Sequence, residues 1–186
     1  MANTKHGVLC ERDNFIKNCI NRAGIFTEDL DGGAFCVLDE VDPKDREVYK
    51  VKKWTKEKDG LYIVYNPSVK YDEINGKLFP ASSLDDRDYT NVANKVFDMF
   101  RIDMDIVIGI NKYNLDAELQ EGGLVKGDYV KPKTNDKVYV KTSASGGKAV
   151  DPDVPCFLVE DVWEVSYPTG DFSEDKEKVY MIRRVQ

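Results

Sequence analysis

Residues 122–142 read GGLVKGDYVKPKTNDKVYVKT. Two β-rich runs flank a polar turn of Thr134, Asn135 and Asp136. In the second run Val138 and Val140 alternate with Lys137, Tyr139 and Lys141. That is the period-2 pattern of a strand with one wet face. In the first run Tyr129 and Val130 follow a Gly-Asp step, and Pro132 closes it. Proline has no N–H for a central ladder, so this run ends there or lies at an edge. The stretch is predicted to form a β-hairpin or a slightly longer strand–loop–strand pair. Nothing in it is catalytic in type, and a chain built around it reads as a β-scaffold before it reads as an enzyme.

The same punctuation recurs on both sides. Residues 34–38 (AFCVL) read as a buried strand, 42–45 (DPKD) as a turn, and 47–54 as an alternating strand. Residues 61–65 (LYIVY) are apolar throughout, as a strand covered on both faces would be, and Asn66-Pro67 stops them. Residues 96–102 and 105–110 predict two more strands. In the first of these, Val96, Asp98 and Phe100 alternate with Phe97 and Met99, leaving both faces mostly apolar, which suits a barrel or sandwich wall. Residues 157–167 (FLVEDVWEVSY) predict a strand bulged near Asp161, paired antiparallel with a last strand over 179–185. The expected fold is mainly β: a single-domain antiparallel β-barrel or sandwich of about eight strands with one or two short helices.

The helical expectations are few. Over residues 10–26, Phe15, Ile16, Cys19, Ile20 and Ala23 recur at three- and four-residue steps before Gly24. Residues 89–95 have room for one helical turn. Residues 1–9 (MANTKHGVL) carry too little apolar surface to fold alone and read as an N-terminal arm ahead of a β-rich domain over 10–186. Residues 69–88 contain Asn75-Gly76 and Pro80 and read as a long surface excursion, pinned back by Phe79.

Composition narrows the function. The 186 residues carry a formal net charge of -7, which disfavours nucleic-acid backbones as partners. There are four cysteines, Cys10, Cys19, Cys36 and Cys156, none in a CxxC pair, and a single histidine, His6. A zinc site needs clustered ligands at defined spacing, so no metal is expected. No apolar N-terminal signal and no membrane-spanning run is present, so reduced, buried thiols in a cytoplasm are expected, with no membrane partner. Asp29 and Asp31 lie in an acidic turn that lacks the ligand ladder of a calcium loop. SASGGK at 143–148 lacks the first glycine and the final hydroxyl of a phosphate loop. With one histidine, no Ser-His-Asp arrangement is credible, and the adjacent Asp85 and Asp86 read as surface charge.

Several stretches together resemble small virion proteins of tailed bacteriophages, the capsid-associated decoration or auxiliary head proteins. They are Glu47-Val48-Tyr49-Lys50-Val51, then Leu61-Tyr62-Ile63-Val64 with Pro67, Val69 and Tyr71-Asp72-Glu73, Asn94-Lys95, GGLVKGDYV at 122–130, and the opening MANTKHGVL. The resemblance implies a non-enzymatic protein without cofactor, made in the host bacterial cytoplasm. It would bind the major capsid protein lattice on the outside of the head, either singly or as a homo-oligomer. The acidic charge suits the exterior, away from packaged DNA. The expected contacts are Asn3, Thr4, His6, Val8 and Leu9 of the arm, which would add a strand to a neighbour's sheet edge, and Tyr71 and Phe79 of the excursion. A head–tail connector, a tail component, or a β-barrel that binds a small molecule between Trp54 and Trp163 are the alternatives.

Overall fold

The computed structural model describes residues 5–12, 20–57, 60–67, 71–74, 77–80, 85–143, 147–148, 151–168 and 174–186. The chain is mainly β, with thirteen strands among these residues rather than about eight. Five short strands pair into a closed ring in the order β2 (Asn21–Ile25), β4 (Asp45–Lys52), β3 (Phe35–Asp42), β5 (Leu61–Val64) and β8 (Val96–Arg101), which returns to β2. Six others form an open sheet: β1 (Leu9–Arg12), β9 (Val107–Asn111), β13 (Glu174–Arg184), β12 (Phe157–Pro168), β10 (Tyr129–Pro132) and β11 (Tyr139–Lys141). β6 (Tyr71–Ile74) and β7 (Lys77–Pro80) make a separate two-stranded hairpin.

The alternation read in β8 accounts for the layering. Phe97 and Met99 belong to one buried cluster with Cys36, Val51, Tyr62 and Val64, which fills the ring. Phe100 and Ile102 belong to a second cluster with Phe35, Ile63, Ile108, Ile110 and Ile182, between ring and sheet. One strand thus serves two cores, which is possible because successive side chains point to opposite faces. β5 does the same: LYIV is buried at all four positions. The ring is tight enough to need a glycine. A Cβ on Gly24 would lie 2.9 Å from the Phe97 ring and 3.2 Å from the Met99 methyl.

The hairpin at 122–142 exists as β10 paired antiparallel with β11. Asn135 turns it at φ 58°, a conformation Asn tolerates, and its N–H donates to the Trp54 carbonyl at 2.9 Å. Its wet face is not where the alternation put it. Tyr139 is fully buried, while Val140 and Lys141 are half-buried. The Tyr139 ring meets Phe35 and Phe157 edge-on, at 5.1 and 5.6 Å between centroids, and its hydroxyl donates to the Gly33 carbonyl. An aromatic ring with a satisfied hydroxyl outbids two valines for the larger core.

Other expectations are corrected. Residues 21–25 are strand, not the end of a helix, because ring closure against β4 and β8 overrides the helical spacing; residues 13–19 lie outside the described residues. The ring is not wholly antiparallel, since β2 runs parallel to β4. Residues 89–95 are not helical: Asn91 bridges to Leu30, and short 3-10 turns lie instead at Asp86–Asp88 and Lys112–Asn114. Among the described residues the one α-helix, α1, is Ala117–Gly122. The excursion is partly ordered structure, because 71–80 holds the β6–β7 hairpin and 85–88 is anchored inward. The bulge expected near Asp161 is present, as a register shift between Val159 and Asp161 in the β12–β13 hairpin.

Replacing Gly24 by valine forces Phe97 and Met99 out of a filled interior. The expected cost is about 1–3 kcal/mol, read as a lowered urea midpoint with an unchanged slope.

Candidate functional site

The densest polar arrangement fastens the N-terminal segment to the body. Residues 5–9 are extended, with few local partners, and side chains from distant positions take up their backbone groups. The His6 N–H donates to the Arg87 carbonyl at 2.8 Å and the Gly7 N–H to Asp31 Oδ2 at 2.9 Å. The Val8 N–H donates to Asn111 Oδ1 at 3.1 Å, and Asn111 Nδ2 donates back to the His6 carbonyl at 3.3 Å. Asn66 acts as a surrogate strand for Leu9, accepting its N–H at 2.8 Å and donating to its carbonyl at 2.9 Å. Gly7 is required by closeness, since a Cβ there would sit 2.4 Å from Asn114 Nδ2. Val8 and Leu9 are buried, at 3% and 8% exposure, and Leu9 begins the strand that pairs with β9.

The arm is therefore not free over residues 5–9. Val8 and Leu9 fill pockets of their own chain, so they are not offered to a neighbour. His6 is also engaged: its Nδ1 lies 3.0 Å from Asp31 Oδ1. Asn3 and Thr4 lie outside the described residues. For Tyr71 and Phe79 the backbone places them on β6 and β7, opposite Pro80 and Asp72 respectively, and their side chains lie outside the described residues. The structure thus brings His6, Val8 and Leu9 together in one groove, and they make internal contacts there.

Beside this groove lies a buried ion cluster. The Arg87 side chain is 1% exposed. Its Nε and Nη2 grip both oxygens of Asp85, at 3.0 and 2.8 Å, while Nη1 reaches Asp175 at 2.7 Å and Glu177 at 3.3 Å. The guanidinium lies 4.2 Å from the centre of the Tyr167 ring. Lys5 Nζ bridges Asp85 and Asp88, both at 2.7 Å, and Lys112 Nζ lies 3.4 Å from Glu177. Asp85 also caps its own turn by accepting the Arg87 N–H. Asp85 is thus a buried ion-pair partner rather than surface charge. Burial pushes its carboxyl up, but hydrogen bonds from Arg87 and Lys5 outweigh that and hold it down to about 2.

These groups are committed to one another. Burial pushes the Tyr167 phenol up, and its hydroxyl lies 3.2 Å from Cys10 Sγ. Burial likewise pushes the Cys36 thiol up to about 12, so it is not a nucleophile at neutral pH. Asp29 and Asp31 fasten loops: Asp29 accepts the Ala93 N–H at 2.8 Å and Asp31 the Gly7 N–H at 2.9 Å. Among the described residues, no group of three or more His, Cys, Asp or Glu side chains is placed to hold a metal ion. Trp54 is buried in the larger core, its indole N–H donating to the Glu57 carbonyl, and Trp163 is 40% exposed on β12. Trp163 belongs to the open sheet and Trp54 to the larger core, so neither is part of the cluster that fills the ring.

No family model, curated protein or solved structure matches this chain. Its residues therefore have to be read on their own geometry. Arg87, Asn66 and Asn111 carry the groove and were not singled out from sequence. Their partners lie 57 to 105 residues away along the chain, apart from Asp85, and no local pattern announces them.

Two outcomes test this site. The hydrogen bond to Asp31 raises the His6 pKa above 6.5. Its stabilising contribution is fully present below pH 6.5 and is lost as pH rises through the folded-state value. Burial pushes Asp31 up, but His6 and the Gly7 N–H pull it below 3.8, so its contribution is present above pH 3.8 and lost as pH falls through the lowered value. Amide exchange at Gly7 and Val8, corrected for intrinsic rates, is expected to be slowest between these limits and faster at pH 8. Arg87→Met takes the buried guanidinium from Asp85 and Glu177 and leaves them the partly exposed lysines Lys5 and Lys112, so a loss at the lower end of about 3–5 kcal/mol in chemical denaturation is expected.

Proposed function

We propose that this chain is a non-enzymatic structural protein of a tailed-phage virion, docking on the outside of the assembled head. The observation that carries this reading is where the reactive side chains go. Arg87, Asp85, Asp31, His6 and the Cys36 thiol are occupied with one another or buried, so the polar clusters serve to hold the chain together. The similarity to head decoration proteins in the residue stretches quoted above supports the same reading. So does the net charge of -7, which disfavours a place against packaged DNA.

The groove supports a change in where contact is made. With Val8 and Leu9 buried, the reading keeps Tyr71 and Phe79 of β6–β7 as proposed contacts and adds the β12–β13 hairpin, where Trp163 is 40% exposed. Many copies on a repeating lattice need only modest contacts each, because linked contacts raise the effective affinity. The ring interior is filled by Cys36, Tyr62, Phe97 and Met99, so a small molecule would have to bind elsewhere on the chain.

Co-sedimentation with purified heads tests the proposal. Saturable binding, with particle images showing added density on the outer surface, is the expected result. Density confined to the head–tail vertex would make the chain a connector component, and an absence of binding at saturating protein would end the virion reading.

A further inference from the structure

The β12–β13 hairpin outruns its sheet. β13 is covered by β9 only from Val179 to Arg183, and β12 is covered by β10 only at Phe157 and Leu158. The loop before β10 extends this cover slightly, with Gly127 and Asp128 bonding Val159. From Asp161 to Tyr167, no described strand lies along the outer edge of β12. Seven residues at about 3.3 Å each give an edge roughly 23 Å long. Asp161, Trp163, Glu164 and Ser166 on it are exposed, and Val162 and Val165 are half-buried. An unpaired row of backbone N–H and C=O groups is a template for another strand.

We propose that this edge pairs antiparallel with the same edge of a second copy, centred on Trp163. The charges select the register. A two-fold axis perpendicular to the sheet keeps each side chain on its own face, so a symmetric pairing is centred on a residue. Centring on Val162 sets Glu160 opposite Glu164 of the second copy, and centring on Glu164 sets that carboxylate opposite itself. Both are opposed by like-charge repulsion across the strands. Centring on Trp163 puts Trp163 opposite Trp163, Val162 opposite Glu164 and Asp161 opposite Val165, with no two carboxylates directly opposed. It also covers the large exposed aromatic of the edge, and aromatic cross-strand pairs are among the more stabilising. The acidic residues thus oppose the registers centred on Val162 and Glu164, and the one centred on Val165 sets Pro168, which has no N–H to donate, opposite Val162.

The pairing goes beyond head binding and is measured without heads, so either can fail alone. Sedimentation equilibrium of the full chain, over about 1 μM to 1 mM, is expected to show a reversible monomer–dimer equilibrium, and Trp163→Glu is expected to abolish it by setting two carboxylates face to face. The register is tested with introduced thiols. Under mild oxidation Trp163→Cys is expected to give a covalent dimer joined through position 163, because directly opposed strand residues meet disulfide geometry. Ser166→Cys, facing Glu160 in this register, is expected to give none. A monomer at every concentration, a Trp163→Glu variant that dimerises like the parent, or equal cross-linking at both positions would each overturn the proposal.

Discussion

β5 buries both faces throughout, and β3 and β8 do so at Phe35–Val37 and at Met99 and Phe100: Cys36, Tyr62 and Met99 belong to the cluster filling the ring, while Phe35, Ile63 and Phe100 belong to the cluster against the six-stranded sheet. A strand that is apolar on both faces has to be covered twice. Here the ring closes over one face, and the sheet covers the other. The first solution needs a small-diameter closure, hence Gly24 beneath Phe97. The second needs a broad apolar floor, supplied by Ile108, Ile110, Val130, Phe157 and Ile182. At about 25 cal/mol per Å² of apolar surface, exposing either face would cost more than the marginal stability of a chain this size.

With the two cores set, the remaining task is to attach the segments that have no apolar face of their own. The chain does this with buried polar groups. Arg87 joins the end of the excursion to the β12–β13 hairpin, and Lys5 adds the N-terminal segment. Asn66 and Asn111 bond backbone groups that would otherwise lack a ladder partner. Such contacts are directional, so they specify one placement of residues 5–9 where apolar packing by Val8 and Leu9 alone would tolerate several. They also engage Arg87, Asp85, Asp31 and His6 in contacts within the chain.

Much of the strand pattern is legible locally. The run LYIVY predicts a strand covered on both faces, and the FLVEDVWEVSY stretch predicts a bulge near Asp161; both are present, while the two-sided wall predicted from the alternation around Phe97 is present only at its C-terminal half, since Val96 and Asp98 are exposed. These features depend on spacing within a few residues, and side-chain alternation along a strand is a property of the backbone itself. The mainly β character and the two hairpins, β10–β11 and β12–β13, follow in the same way.

What only the tertiary structure decided is which face is wet, which segments dock and which charges are buried. Tyr139 alternates with two valines and reads as exposed, yet it is buried because Phe35 and Phe157, from strands far away in the chain, form an aromatic site for it. Residues 21–25 satisfy helical spacing but join the ring, because β8 and β4 offer backbone partners on both sides. Residues 5–9 look like a tail because their composition is poor in apolar groups; the partners that hold them, Asp31, Asn66, Arg87 and Asn111, are 24 to 105 residues distant. Asp85 and Arg87 resemble any exposed charge pair until Asp175 and Glu177 arrive from the last strand to close the cluster. Local sequence sets the period of an element and therefore its faces. It carries no information about what a distant segment will bring to those faces, and burial, charge pairing and docking are decided there.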